Sequence, residues 1–264
     1  MIQFEEKAHT YTRNGNRYLS VTQLLGKYEP FFDTEYWSLY KAIKDVFELK
    51  GLWYSYKQHV GGWENVVNYF TTHGSKHEVP VRARQNEYKQ QWIEKNRKAI
   101  ERGSGIHKTL EMMVNNQKHI VVDRSHIKPN YGKYMPLGDF TSEQIFTEPY
   151  LWSDDYQLAG QSDIIIKLAR RVRIKDYKTN EEITTEAFNG QTFAHPLEHL
   201  PFHKYNLYTM QLSIYGWMLE EWGFRVEDLE LIHITESGAV TMKCYYLKDE
   251  VIELVKHYKA NSLI

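Results

Sequence analysis

Three side chains stand out for the chemistry they could do together: Asp163 in Gly160-Gln161-Ser162-Asp163, and Asp176 and Lys178 in Ile174-Lys175-Asp176-Tyr177-Lys178-Thr179. In a β-strand, residues two apart share a face, so Asp176 and Lys178 project together. Ile164, Ile165 and Ile166 follow Asp163, and Val172 and Ile174 precede Asp176, which would set the charges at strand ends against a core. Carboxylates held there repel one another unless a hard divalent cation sits between them. A lysine beside such a metal could orient a water or stabilise charge developing on a phosphate. Asp-x-Lys is common by chance and alone reads far better as the polar surface of a hairpin than as a site; its weight comes from the residues that accompany it.

Two helical pairs accompany it. In Arg102-Gly103-Ser104-Gly105-Ile106-His107-Lys108-Thr109-Leu110-Glu111, His107 and Glu111 are four apart and share a helix face. In Gln211-Leu212-Ser213-Ile214-Tyr215, a second polar pair with the same spacing interrupts an apolar helix. Taken singly, His107 reads as a core or capped histidine, and Gln211 and Tyr215 as ordinary helix polarity.

Taken in order, Gly-x-x-x-His-x-x-x-Glu, an acidic residue near a strand, Gly-x-x-Asp, Asp-x-Lys and Gln-x-x-x-Tyr over residues 97 to 217 resemble the RecB-like branch of the PD-(D/E)XK nuclease superfamily. That resemblance implies an α/β fold: a restriction-endonuclease-like core with a mixed central sheet flanked by helices, here preceded by an N-terminal helical extension. It also implies that Asp163, Asp176 and His107 are metal ligands, that Lys178 is the catalytic lysine, and that Glu148, in Thr147-Glu148-Pro149, is the acidic residue of the first strand. Glu111 would support the same helical face. Gln211 and Tyr215 would position either the substrate phosphate or the Lys178 strand. Arg102, Lys108, Tyr177 and Thr179, beside these motifs, would be supporting or substrate-binding. Asp176 stands where many members of the superfamily have Glu.

The activity so implied is divalent-metal-dependent hydrolysis of DNA phosphodiester bonds. Mg²⁺ or Mn²⁺ on Asp163, Asp176 and His107 would neutralise charge growing on the phosphate and lower the pKa of bound water; an imidazole ligand makes Mn²⁺ a good alternative to Mg²⁺. The single cysteine, Cys244, excludes an internal disulfide, a Cys-based zinc site and the four-cysteine iron–sulfur cluster of some relatives.

These side chains need a scaffold, and the hydrophobic pattern supplies one. Two short strands flank Asn14-Gly15, a hairpin signal, and Ser20 or Thr22 could cap a first helix. Residues 33 to 70 read as two helices separated by Gly61-Gly62, and Val81 to Val114 as the longest helix, with Gly103 and Gly105 marking a break or a close approach. Residues 145–153, 156–168 and 171–177 look like three strands, and 205–222 like a helix stopped at Gly223. Residues 229–235 and 240–247 look like paired strands around Ser237-Gly238, and a last helix starts at Asp249. No linker is visible, so 1–264 reads as one nuclease domain: 1–90 hairpin and helical extension, 91–264 core.

At 264 residues, folding buries roughly three-quarters of the extended chain's surface, enough for a large core. No window approaches the roughly 18 apolar residues of a membrane span, and the N-terminus lacks a signal peptide's apolar region, so a cytoplasmic protein with no membrane partner is expected, in the host cell if the gene is a phage's. Lys and Arg number 33 against 34 Asp and Glu, which excludes a histone-like mode of binding nucleic acid. The distribution is uneven. Residues 82–108 carry Arg82, Arg84, Lys89, Lys95, Arg97, Lys98, Arg102 and Lys108 against Glu87, Glu94 and Glu101; residues 143–163 carry Glu143, Glu148, Asp154, Asp155 and Asp163 and no Lys or Arg. A basic helix beside an acidic strand group suits a phosphate-tracking groove with a metal at its floor; the plainer reading is a solvated helix face, with Tyr88 and Trp92 in the core rather than stacked on bases.

His195, His199 and His203 recur every four residues, but Pro196 and Pro201 interrupt any helix, so a loop near the substrate entrance is expected rather than a zinc site. No Gly-x-x-x-x-Gly-Lys-Ser/Thr motif occurs, so a nuclease here would act alone or with a separate helicase, recombinase or single-strand-binding partner. An exonuclease acting on single- or double-stranded ends in recombination, repair or replication is the leading reading, and the opening hairpin and stand-alone core resemble phage or prophage enzymes. A structure-specific or nicking endonuclease would share every catalytic residue, and a non-catalytic DNA-binding module would share the fold; oligomeric state is left open.

Overall fold

A computed structural model describes residues 1–5, 8, 10–130 and 132–262. In chain order the elements are β1 (Gln3–Glu5), β2 (Thr10–Arg13), β3 (Asn16–Ser20), α1 (Val21–Gly26), α2 (Thr34–Leu49), α3 (Trp53–His59), α4 (Val66–His73), α5 (Glu78–Asn115), β4 (Ile120–Val122), β5 (Ser125–Ile127), β6 (Pro129–Asn130), β7 (Glu143–Thr147), β8 (Tyr150–Ser153), β9 (Leu158–Gln161), β10 (Ile164–Leu168), β11 (Arg171–Lys178), α6 (Lys204–Glu221), β12 (Arg225–Thr235), β13 (Gly238–Cys244) and α7 (Lys248–Ser262). They form two compact units, one of Met1–Pro30 with Arg102–Ile264 and one of Phe31–Glu101. Among the described residues no helix is long and apolar enough to cross a membrane.

The unit of Met1–Pro30 and Arg102–Ile264 is mixed α/β. The hairpin turns at Asn14 and Gly15, both at positive φ (52° and 80°), the pairing that a tight two-residue turn requires. At the end of β3, Ser20 closes a capping box: its hydroxyl accepts from Gln23 N (3.0 Å) and the Gln23 amide oxygen accepts from Ser20 N (3.2 Å). The first sheet runs β1-β2-β3-β9-β8 and the second β13-β12-β11-β10-β7-β6. In the second, β10 is antiparallel to both β7 and β11, β11 is parallel to β12, and the crossover between those two carries α6. Helix α6 buries residues all round, among them Leu207, Met210, Leu212, Ile214, Trp217 and Met218, as a helix enclosed by other elements must. It ends at Gly223, whose φ of 90° a side chain would oppose.

The unit Phe31–Glu101 is helical. Its core is Leu39, Ile43, Phe47, Val66, Phe70, Val81 and Tyr88. Trp92 is half-buried against the rings of Phe32 and Tyr88, so both aromatics of the basic run are engaged in packing. The run's cations are largely paired within this unit: Arg82 with Glu78, Arg84 with Asp45 and Glu87, Lys89 with Glu35, Arg97 with Glu94 and Glu101, Lys98 with Glu94. That pairing favours the solvated, charge-balanced helix face over a bare cationic stripe.

Several boundaries differ from the sequence expectation. The first of the two helices expected over 33–70 is two, α2 and α3, broken at Gly51 (φ 68°). Helix α5 runs unbroken through Gly103 and Gly105; at Gly103 the close approach is real, since a Cβ there would lie 3.3 Å from Thr179 Oγ1. The strand expected over 145–153 is split at Glu148-Pro149, where Glu148 takes φ 48°, and the one over 156–168 at Ser162-Asp163. Apolar runs flank both breaks closely, and periodicity joins them across the short segments Thr147-Glu148-Pro149 and Gln161-Ser162-Asp163.

Candidate active site

Strand register brings the acids into one row. Ile164 pairs with Thr147 on β7 and with Lys175 on β11. One step beyond the start of β10, Asp163 therefore falls beside Glu148 on one side and Asp176 on the other. The Glu148 N–H donates to the Asp163 carbonyl (2.8 Å), which ties the first two together.

Asp163 is held from two directions. Its Oδ1 lies 3.0 Å from His107 Nδ1, and its Oδ2 accepts from the Tyr177 N–H at 2.6 Å. His107 and Glu111 do share a face of α5, and with Glu148, Asp163 and Tyr177 they line one recess. Burial lowers the His107 pKa, but the Asp163 hydrogen bond and the nearby carboxylates outweigh it, and the net shift is upward.

Asp176 and Lys178 project together as the strand period requires. Lys178 Nζ is 2.6 Å from Asp176 Oδ2, a close ion pair in which the carboxylate oxygen is buried. Burial, reinforced by Asp163 and opposed by Lys178, pushes the Asp176 carboxyl up to about 6. Lys178 Nζ also donates to Gln211 Oε1 (3.0 Å), and Gln211 Nε2 donates to Tyr215 Oη (3.1 Å). Gln211 thus links Lys178 to Tyr215 along α6.

Gly160 is the hole that Tyr215 fills. A Cβ at Gly160 would lie 2.6 Å from Tyr215 Cε1 and 3.2 Å from Val21 Cγ2, both buried. Gly160→Ala is expected to lower stability by about 1–3 kcal/mol in urea denaturation, because a fully enclosed ring has nowhere to move.

Three participants escape the sequence reading. Lys133 bridges Glu111 Oε1 (2.8 Å) and Glu148 Oε2 (2.9 Å); burial lowers its pKa, and the two carboxylates more than offset this. Gln161 donates to the Glu148 carbonyl (2.9 Å). Tyr208 presents its ring to Lys178, with Nζ 4.3 Å from the centroid. Tyr208 is three residues from Gln211, so the helix period would have found it; Gln161 lies before the break at Ser162-Asp163, where the strand period does not carry, and nothing in the sequence marks Lys133. Arg102 and Lys108 are exposed on α5 and take no part in these contacts, while Thr179 contributes its place beside Gly103.

Hard carboxylate oxygens with an imidazole suit Mg²⁺ or Mn²⁺, and Asp176 Oδ2, buried with the Lys178 ammonium beside it but no hydrogen bond, has acceptor capacity left for a cation. As the side chains stand, His107 is bonded to Asp163, and among the described residues no three His, Cys, Asp or Glu side chains are gathered to hold one ion. The histidines of the 195–203 loop go separate ways: His195 pairs with Glu198, His199 lies near Glu250, and His203 caps α6.

A pH dependence follows from Asp176. Its folded-state pKa lies above the ordinary aspartate value, so the folded protein holds this proton more tightly than the unfolded chain. The resulting stability is complete below the unfolded value and is lost as pH rises through about 6. Asp176→Asn removes that titration. In urea denaturation of chelator-treated protein, the variant is expected to gain on the wild type between pH 4 and pH 6; a constant difference across that window would contradict the assignment.

No protein-family model matches the chain, and no curated protein does. The solved crystal structure of SSO0001 is similar at 17% identity over 67% of this chain and 68% of that one, with a TM-score of 0.35, a likeness too slight to carry an argument. The elements themselves make the fold mixed α/β.

Proposed function

We propose that this chain is a divalent-metal-dependent deoxyribonuclease with the PD-(D/E)XK core of the RecB-like nucleases, removing nucleotides from DNA ends. The observation that carries the reading is the convergence of four separated motifs: Asp163, Asp176 and Lys178 at neighbouring strand ends, His107 bonded to Asp163, and Gln211 bonded to Lys178. Asp163 and Asp176, with His107, would hold Mg²⁺ or Mn²⁺, which when bound supplies an acidified water and charge neutralisation at the phosphate.

The chain's own residues account for the rest. Tyr177 N–H and His107 fix the Asp163 carboxylate. Burial lowers the pKa of Lys178, yet Asp176 and Asp163 outweigh it and hold the ammonium protonated. It can therefore donate to a phosphate oxygen, and Gln211 restrains it.

The deciding assay uses end-labelled single- and double-stranded DNA beside covalently closed circular DNA, each with Mg²⁺, Mn²⁺ or chelator. Metal-dependent loss of linear DNA with circles intact is expected. Cleavage of circles would make it an endonuclease on the same residues, and metal binding without cleavage of either would leave a DNA-binding module.

A further inference from the structure

Around Lys178 the structure offers a third wall besides Asp176 and Gln211. We propose that Tyr208 is a positioning residue for Lys178, its ring face fixing the direction in which the ammonium points; the catalytic consequence rests on the nuclease reading. A lysine stem is long and flexible, and its ammonium is a point charge with three N–H bonds. Here Asp176 Oδ2 lies at 2.6 Å, Gln211 Oε1 at 3.0 Å and the Tyr208 centroid at 4.3 Å, so three sides are occupied. The lysine side chain is only 14% exposed. A cation over an aromatic face in so desolvated a place is held far more firmly than at a surface.

Tyr208 is itself fixed from its far end. Its hydroxyl donates to Asn180 Oδ1 (2.7 Å), and the Asn180 carbonyl oxygen is 2.8 Å from His233 Nε2. His233 is the register partner of Lys178 on β12. The ring is thus tied to the strand beside the lysine it covers. Along α6, Tyr208, Gln211 and Tyr215 lie three and four residues apart, on one face. A ring anchored at its hydroxyl and laid over the ammonium restricts the lysine to one approach, and displacement of a reacting group by even an ångström lowers rate steeply.

The test uses the full chain labelled with ¹³Cε-lysine, with the Lys178 resonance assigned by its disappearance in Lys178→Arg. In the wild type and in Tyr208→Phe the Lys178 Hε signals are expected upfield, shifted by the ring above them; in Tyr208→Leu they return to the ordinary lysine position. In the DNA assay, Tyr208→Leu is expected to lower kcat about ten-fold with KM within about two-fold, and Tyr208→Phe, which keeps the ring but loses its anchor on Asn180, to lower kcat by less. Lys178 signals at the ordinary position in the wild type, or unmoved in Tyr208→Leu, overturn the proposal, as does an undiminished kcat in that variant. If the wild type degrades no DNA, the proposed function fails and the lysine signals alone decide Tyr208. Should Tyr208→Leu not fold, the wild-type and Tyr208→Phe spectra still decide.

Discussion

Asp176→Asn is expected to lower Mg²⁺-dependent DNA degradation by about 10³-fold or more, since a metal's charge stabilisation is worth several kcal/mol and each 1.36 kcal/mol is ten-fold. Among the acids of the row, Asp176 gives the cleanest test. Asp163 is also a structural acceptor, taking a hydrogen bond from Tyr177 N–H and bonding His107, so its loss mixes chemistry with the fold. Glu148 and Glu111 are tied to Lys133. Asp176 is 3% exposed, and its Oδ2 is left without a hydrogen-bond partner. Asparagine keeps the shape and removes the charge together with one acceptor oxygen. The measurement is initial rate on end-labelled duplex with Mg²⁺ and with Mn²⁺, in contaminant-controlled preparations, beside circular dichroism to verify the fold. Rates within a few-fold of wild type would remove Asp176 from the metal site and with it the reading of the row.

What the sequence made legible follows from what period and register transmit. The i, i+2 rule placed Asp176 with Lys178, and the i, i+4 rule placed His107 with Glu111 and Gln211 with Tyr215, because those rules depend only on local backbone geometry. The splitting of the strands at Glu148 and at Ser162-Asp163 was not legible. Apolar runs stand on both sides of each short break, and the breaks are enforced by partners distant in sequence, such as Thr147 meeting Ile164. Yet those breaks are what turn Glu148 and Asp163 out at the strand ends. Lys133, a lone lysine shortly after the two-residue strand β6, carries no periodic signal and is recruited by two carboxylates from different elements. The basic run over 82–108 looks like a larger surplus than it is because Glu35, Asp45 and Glu78, which pair with three of its cations, lie outside that window.

Lys178→Met is expected to reduce kcat by about 10²–10³-fold with little change in KM, the cost of removing one donor aimed at developing charge. Lys178→Arg is expected to recover little of this, because the space bounded by Asp176, Gln211 and the Tyr208 ring fits a compact ammonium, whereas a guanidinium is a broad planar fork. Stability offers an independent reading of the same pair. Replacing Lys178 leaves Asp176 buried and deprived of its counter-charge, a loss of about 3–5 kcal/mol for a buried pair; replacing Asp176 strips Lys178 in the same way but also removes a carboxylate that burial disfavours, so its net loss is expected to be smaller. The Lys178→Met variant has a partial escape, since an Asp176 carboxyl already pushed up to about 6 by burial can take a proton more readily once the lysine is gone. The Asp176→Asn/Lys178→Met double variant is therefore expected to lose less stability than the two single losses added together, and its activity to fall little below that of Asp176→Asn alone. Urea denaturation of the four proteins at pH 7.5 measures the coupling. Simple additivity in both stability and rate would mean that Asp176 and Lys178, despite lying 2.6 Å apart, do not act as a unit.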